Sequence, residues 1–590
     1  MTVMRRTKNR LYTLFTAGCA VAATLTTGAC SDDFLDHDPD ERVQIVSVEQ
    51  VMELLGTAYS TSNYGWICEI SSDNIVDINA PYMATQSNGT EVKVRFNLNS
   101  YGRMDDELFC FEPVRSSTGS DSPSEVWEGA YHAIAVANHA LQLLDQFLAK
   151  NNGDTTDIMR AAYGEAYLCR AYNHFVLVNI FSMPYRDEEL SKQDIGIPYV
   201  TEPEDRVLVD YDRSNVTETY RKIEADMQKG LALVTDNFYE KPKWHFNTKA
   251  AHAFAARFYL YTRQYQKVVE HANFVLGTDY ADLPSRLSDW AKMDDGSNLT
   301  DYAEIWQGPN EPNNLLLVAT HSRHWRRAVG YRYATAGKAL RNIYYHLGPN
   351  WNYYCMRAAV VCDHLYWDGN SDHGYKSAKI AERFEYTDKV AGIGYAHIIR
   401  REFVANELLL MRAEARLLGN DDVDGCVEDL IAYENARSNF SEKTKQQYIT
   451  GLRLPLKRSE IEEWYQPELY RDHSNTLQNW DFTQKISPSF VIKPDHFVYM
   501  NCINDMRRYE TAWTGLRFFD VKRLGYEYSH IHFENSDDME HEYKLTALDK
   551  RRAIELPQEV LLAGLDSSYP KVDRSSDSSD VVVKHNFIKY

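Results

Sequence analysis

The residues best suited to chemistry in this chain are aromatic rings set beside asparagine, glycine, arginine and histidine. A Trp or Tyr ring accepts the apolar C–H face of a sugar by dispersion, and neighbouring polar side chains bond its hydroxyl edge. That setting occurs at Tyr64-Gly65-Trp66 and Tyr82. It recurs between residues 277 and 400, at Trp306, Trp325, Trp351, Tyr353, Tyr354 and Trp367. Trp66, Tyr82, Trp306, Trp325, Trp351, Tyr353 and Trp367 are the candidate ligand-binding rings. Core packing is the competing role for each of them taken singly.

Other chemistry is sparse. The chain has no H-E-x-x-H, G-x-S-x-G or G-x-x-x-x-G-K run, so no catalytic residue and no cofactor is assigned. Asn420-x-Asp422-x-Asp424-Gly425 mimics the opening of a calcium loop, but the twelfth position is Ile431, which favours a turn between two helices. His530-x-His532-x-Glu534 could share one strand face. An exposed acidic loop is the preferred reading, and no metal is assigned. The formal charge of −21, from 64 basic and 85 acidic residues, disfavours nucleic acid as a partner. It leaves neutral or cationic ligands open. So many carboxylates must form pairs at glycosidase spacing, but sequence singles out none of them.

These residues need a large scaffold to place them, and the 590-residue chain supplies one after an N-terminal address. Arg5, Arg6, Lys8 and Arg10 precede an uncharged, small-residue stretch over 11–29, the pattern of a secretory signal peptide. Thr27-Gly28-Ala29-Cys30 resembles a lipobox, which makes Cys30 the lipidated residue of the mature chain. Thr27 departs from the usual leucine, and Cys19 is a rival that would leave a very short apolar region. An acidic tether follows over 30–46. No second apolar stretch of about 18 residues appears, so membrane attachment would be by lipid alone.

Beyond residue 47 the pattern is mostly helical. Ser47 opens a helix over 47–60. Trp127, Tyr131, Ile134, Leu141, Leu144 and Leu148 share one helical face over 124–150. Residues 157–182 are apolar nearly all round, which predicts a buried helix ending before Pro184. Another helix covers 214–235. Three helix pairs, at 124–182, 248–276 and 402–437, have the look of tetratricopeptide units, with small Ala251, Ala255 and Ala256 allowing close approach. Between 277 and 400 the helical period fades into long aromatic loops and short strands, including the stretches around Trp306 and His321–Arg327. The fold class is mainly α: a tetratricopeptide-like helix-pair scaffold with long irregular loops and a few strands, one domain over 47–590.

Ordered markers resemble the SusD/RagB family of surface glycan-binding lipoproteins. They begin with Cys30-Ser31-Asp32-Asp33-Phe34-Leu35-Asp36, Ser72-Asp73-Asn74 and Trp127-Glu128-Gly129-Ala130-Tyr131. Gly164-Glu165-Ala166-Tyr167-Leu168-Cys169-Arg170-Ala171-Tyr172 follows. Asn406-Glu407 through Ala415, Gly515-Leu516-Arg517-Phe518-Phe519-Asp520 and Leu556-Pro557-Gln558-Glu559-Val560 close the series. The resemblance implies a lipid-anchored outer-membrane protein that binds oligosaccharide without catalysis and caps a SusC-like TonB-dependent transporter. Peptide capture is an alternative within the family, and a surface glycosidase is a third reading. No ligand residues carry over. Glu165, Arg170, Glu407, Arg412 and Glu414 read as buried structural charges that must be paired.

Overall fold

The computed structural model describes residues 45–590 except 80–81, 86–87, 95–96, 116–118, 204–210, 289–298, 329–330, 335–361, 365–374, 439–454, 467–484, 534–539, 569–580 and 584–590. The chain divides into Met1–Gln50 and Val51–Tyr590. All that follows concerns the second unit.

Its frame is a stack of helices: α1 (Pro123–Lys150), α2 (Asp157–Phe181), α3 (Val216–Leu233), α4 (Thr248–Tyr261), α5 (Tyr265–Leu276), α6 (Ala405–Asn420), α7 (Val423–Arg437), α8 (Phe497–Thr511) and α9 (Leu516–Arg523). The helix starts are written in the sequence. Ser122, Thr156, Asn215, Asn247 and Asp422 each accept the backbone N–H three residues on, satisfying a donor the helix cannot. α1/α2, α4/α5 and α6/α7 are the three expected helix pairs. Ala251, Ala255 and Ala256 are fully buried on α4. Gly164 of α2 lets the chain leaving α3 pass directly over it, for a Cβ there would sit 2.8 Å from the Val234 nitrogen.

The charges on these apolar helices are paired. Arg170 grips Asp226 through two bonds of 2.7 and 2.8 Å, tying α2 to α3. Glu165 accepts from the hydroxyls of Tyr59 and Tyr239 at 2.6 and 2.9 Å and contacts His245 Nδ1 at 2.8 Å. Arg412 holds Asp429 at 3.0 and 2.7 Å across α6/α7. An ionic chain then runs through the core. Arg257 binds Glu407 at 2.6 Å, Glu407 lies 3.5 Å from Arg507, Arg507 binds Asp520 at 2.9 and 3.0 Å, and Arg523 links Asp520 to Glu414. Deep in the structure such groups are tolerable only when each has its counter-charge.

Between α5 and α6 lies a three-stranded antiparallel sheet, with β1 (Asn314–His321), β2 (Glu382–Asp388) and β3 (Ile393–Val404) in the order β1-β3-β2. β1 pairs with β3 only from Val404 to His397, whereas β2 pairs with β3 from Ile398 to Ile393. The outer half of β2 and β3 is thus a two-stranded arm projecting beyond β1. β3 runs straight into α6, Val404 being followed at once by Ala405. Two expectations change here. Trp306 ends a helix (Leu299–Trp306), and His324–Arg327 is a single helical turn; neither lies in a loop or strand. Asn420–Gly425 forms the α6/α7 turn, with Asp422 spent on capping α7.

Candidate functional site

The structure sorts the candidate rings. Trp66 lies in the short helix Gly65–Ile70 at 1% exposure and donates its indole N–H to Asp105 at 2.8 Å. Trp306 is also 1% exposed, with the Arg401 guanidinium 3.8 Å from its ring centre. Both are core residues and offer no face to a ligand. A large ring gains by burial, for Trp66 with its N–H bonded to Asp105 and for Trp306 beneath a guanidinium, and a Gly or Asn neighbour does not report that. Trp325 is half-buried against Ala303, Trp306, Ala378 and Ala381. Tyr82 opens a strand (Tyr82–Thr85) paired with Glu91–Val94. Trp351, Tyr353 and Trp367 lie outside the described residues, as does Cys30.

Among the described residues of 277–400, the exposed large rings stand elsewhere, on the β2/β3 arm. Strand alternation places Glu382, Phe384 and Tyr386 on one face. Phe384 and Tyr386 are 46% and 53% exposed, and their rings meet edge to face at 4.9 Å. Opposite them stand Ala396 and Gly394, too small to cover the rings. Gly394 is obligatory here. A Cβ would lie 2.0 Å from the Glu385 carbonyl oxygen and 2.7 Å from the Phe384 ring. The other face carries Tyr395, whose hydroxyl donates to Glu385 at 3.0 Å, and the cross-strand pair His321/His397. Tyr395 packs edge-on against His321 at 4.5 Å. The arm therefore joins rings to hydrogen-bonding edges on both faces.

At its root, Arg326 donates to both oxygens of Glu382 at 3.0 and 2.8 Å. Half-buried Tyr101 and Tyr331 meet at 4.7 Å, and the Arg327 guanidinium lies 4.4 Å over Tyr101. A buried acidic cluster fixes this base. Asp121 accepts from Ser322 Oγ at 2.6 Å and from the Arg323 N–H at 2.7 Å, while Asp105 holds Arg327 at 3.0 Å. Burial raises Asp105 and Asp121 to about 6 and Glu125 to about 7, because Arg327 is one cation among three carboxyls. Burial also drives His324 down to about 3, with Arg400 and Arg327 adding to it, so its imidazole stays neutral. Asp105, Asp121 and His324 are buried and position the arm, while Glu125 is half-buried.

The sequence signal for the arm was the alternation Glu382-Arg383-Phe384-Glu385-Tyr386, charged and aromatic by turns, ahead of a glycine-containing turn. The His530 motif resolves differently. His530 is buried between Phe109 and Phe111, with its nitrogens 2.7 and 2.8 Å from the carbonyls of Phe109 and Ser72, while Glu534 lies outside the described residues.

Residues 33–260 match the sequence model of a SusD-like family described as starch-binding and associating with the outer membrane. A curated relative, SusD-like protein P2 of Formosa agariphila, is 29% identical over 160 residues. That match spans 26% of this chain and 27% of the relative, about a quarter of its length. A solved SusD superfamily protein of Bacteroides thetaiotaomicron superposes with a TM-score of 0.55 at 16% identity, over 89% of this chain and 100% of that one. One from Bacteroides vulgatus does so with a TM-score of 0.53 at 15% identity, over 89% and 100%. The class is a helix-pair scaffold carrying an irregular, partly stranded cap. The fold is that of the solved SusD superfamily structures, and residues 33–260 resemble the SusD-like family. Among the described residues no helix is long and apolar enough to cross a membrane.

Proposed function

We propose that the protein captures oligosaccharides at the cell surface and passes them, uncleaved, to a SusC-like TonB-dependent transporter of the outer membrane. The observation that carries this reading is the exposed arm, where Phe384 and Tyr386 stand open to solvent beside Glu382 and Arg326. Rings that pack edge to face on each other, leave about half their surface open and sit over an obligatory glycine are platforms for an apolar face, and sugars present one. Half-buried Trp325 borders this region in sequence. Tyr82, Trp351, Tyr353 and Trp367 are proposed as further ligand contacts. A lipid on Cys30 would hold the protein at the membrane, with residues 47–590 acting as one binding domain.

The acidic charge of −21 favours a second ligand class, cationic peptides, bound through long-range attraction that salt screens. Calorimetry with a panel of neutral oligosaccharides and basic peptides separates the two. The glycan reading expects saturable sugar binding that is insensitive to salt; heat from peptides alone, fading with salt, overturns it. Chain ends released from a bound oligosaccharide would instead mark an enzyme. Radiolabelled palmitate incorporated into the wild type but not Cys30→Ala tests the lipid.

A further inference from the structure

A second cavity lies far along the chain from the arm, where the α4/α5 turn meets the segments after α2 and before α8. It encloses about 320 Å³ and is lined by Tyr185, Asp187, Arg263, Tyr265, Ser489 and Phe490, with Glu188 at its wall. Its centre is Arg263. The buried arginines of the frame (Arg170, Arg257, Arg412, Arg507, Arg523) each hold a carboxylate. Arg263 holds none. Among the described residues its guanidinium makes no hydrogen bond or ion pair, and it stands 5.0 Å over the Phe490 ring. Burial holds that guanidinium below the ordinary arginine range.

The backbone at Arg263 is also out of the ordinary. The N–H of Gln264 bonds to the Tyr259 carbonyl at 2.8 Å and that of Arg263 to Leu260 at 3.1 Å, the double bond of a helix ending in a left-handed residue. Arg263 takes that position with φ 58°. The turns of the other two helix pairs place Asn152 and Asp421 at φ 54° and 59°, residue types that tolerate it. A bulky arginine here is strained, and such strain persists where the side chain is needed. The hydroxyls of Tyr185 and Tyr265 have no partner among the described residues either. Asp187 is already engaged, accepting from Ser487 Oγ at 2.6 Å and from the Leu190 N–H at 2.8 Å.

We propose that this cavity binds a small polyhydroxylated carboxylate of hexuronate size, its carboxylate clamped by Arg263. The site has an excess of unmatched donors around one cation, and a carboxylate matches the fork of a guanidinium. Asp187 and Glu188 then face ligand hydroxyls, which can donate to them. A bare inorganic anion would meet the same two carboxylates with nothing to donate. Half-buried Tyr185 and Tyr265 receive the sugar's apolar face, while Phe490 backs the guanidinium. The site shares no residue with the arm and stands whether or not the arm binds glycan.

Calorimetry on the full chain with glucuronate and galacturonate tests this, with glucose, galactose, N-acetylglutamate and inorganic phosphate alongside. Saturable uronate binding in the millimolar range is expected, about tenfold tighter than the neutral sugars. Arg263→Gln should abolish the preference. Arg263→Gly should abolish it while raising Tm, because glycine relieves the left-handed strain; a folded, more stable protein that no longer binds uronate cannot be dismissed as damaged. Tyr265→Phe should weaken binding less, and Phe384→Ala should leave it unchanged. The proposal is overturned by uronate binding that survives Arg263→Gly, by no saturable uronate binding, or by phosphate or N-acetylglutamate binding as tightly as uronate.

Discussion

The ionic core and the arm use the same residue types to opposite ends. Arg507–Asp520 and Arg326–Glu382 are both two-pronged pairs. The first has side-chain exposures of 2% and 2%, the second 51% and 14%. In the core each charge exists on condition that its partner does, so the pair fixes which helices meet. On the arm, water can replace either partner, and the pair only biases a side chain. Rings divide in the same way. Trp306 is sealed beneath Arg401, whereas Phe384 is held half open by a glycine that cannot be replaced. One chemistry thus specifies the fold when dry and leaves a surface available when wet.

The largest expected effect comes from breaking the dry side. Asp520→Ala leaves Arg523 with Glu414 alone and Arg507 with only Glu407, 3.5 Å away, and should cost about 3–5 kcal/mol in urea unfolding. Burial pushes the Asp520 carboxyl up, but Arg507 and Arg523 outweigh it and hold it at about 2. A lowered carboxylate adds stability above its unfolded value of about 4, and that stability is lost as pH falls toward 2. Asp520→Ala should lack this acid limb. If it unfolds like the wild type, the core pairs are not what fixes the helices.

Gly394→Ala comes next. It should splay the arm, detectable as faster amide exchange in β2, at a local cost of about 1–3 kcal/mol, with global unfolding nearly unchanged. Phe384→Ala combined with Tyr386→Ala should leave Tm alone and weaken oligosaccharide binding about tenfold or more. A fall in Tm without a fall in affinity would place these rings with the core.

A smaller effect is expected at His252 and His271, whose Nδ1 atoms lie 2.9 Å apart. Burial first, then the neighbouring His271, pulls His252 to about 4; burial, then Lys267, pulls His271 to about 4. A histidine lowered on folding contributes fully above its unfolded value near 6.5 and loses that contribution as pH falls to 4. The stability difference between wild type and His252→Gln should therefore change across that window and be flat above it. Taking the difference cancels the buried carboxyls Asp105, Asp121 and Glu125, whose raised values act with the opposite sign. Smallest is Arg326→Ala, expected to cost less than about 1 kcal/mol.

The helix pairs were legible because periodicity is local: Trp127, Tyr131, Ile134, Leu141 and Leu144 mark one face within a few turns. Partners were not. Sequence says that a charge such as Arg170 on an apolar helix must be paired, but Asp226 lies 56 positions away and only the packed fold selects it. In the 277–400 region most weight fell on tryptophan, whereas the exposed rings among its described residues are Phe384 and Tyr386. Trp66 and Trp306 lost their exposure to tertiary packing, which neighbours in sequence do not encode. Phe384 and Tyr386 stand in a two-residue alternation that carries no tryptophan, and attention to Trp passed over it.

The unbroken passage from β3 into α6 has a mechanical meaning. Twelve residues of extended strand span about 40 Å. They run without a hinge from the tip of the arm to a helix held by Arg257 through Glu407, by Asp429 through Arg412 and by Arg523 through Glu414. The strand is a strut: a load seated at the tip is borne by a helix bolted through three buried ion pairs, not absorbed by a compliant joint beneath it.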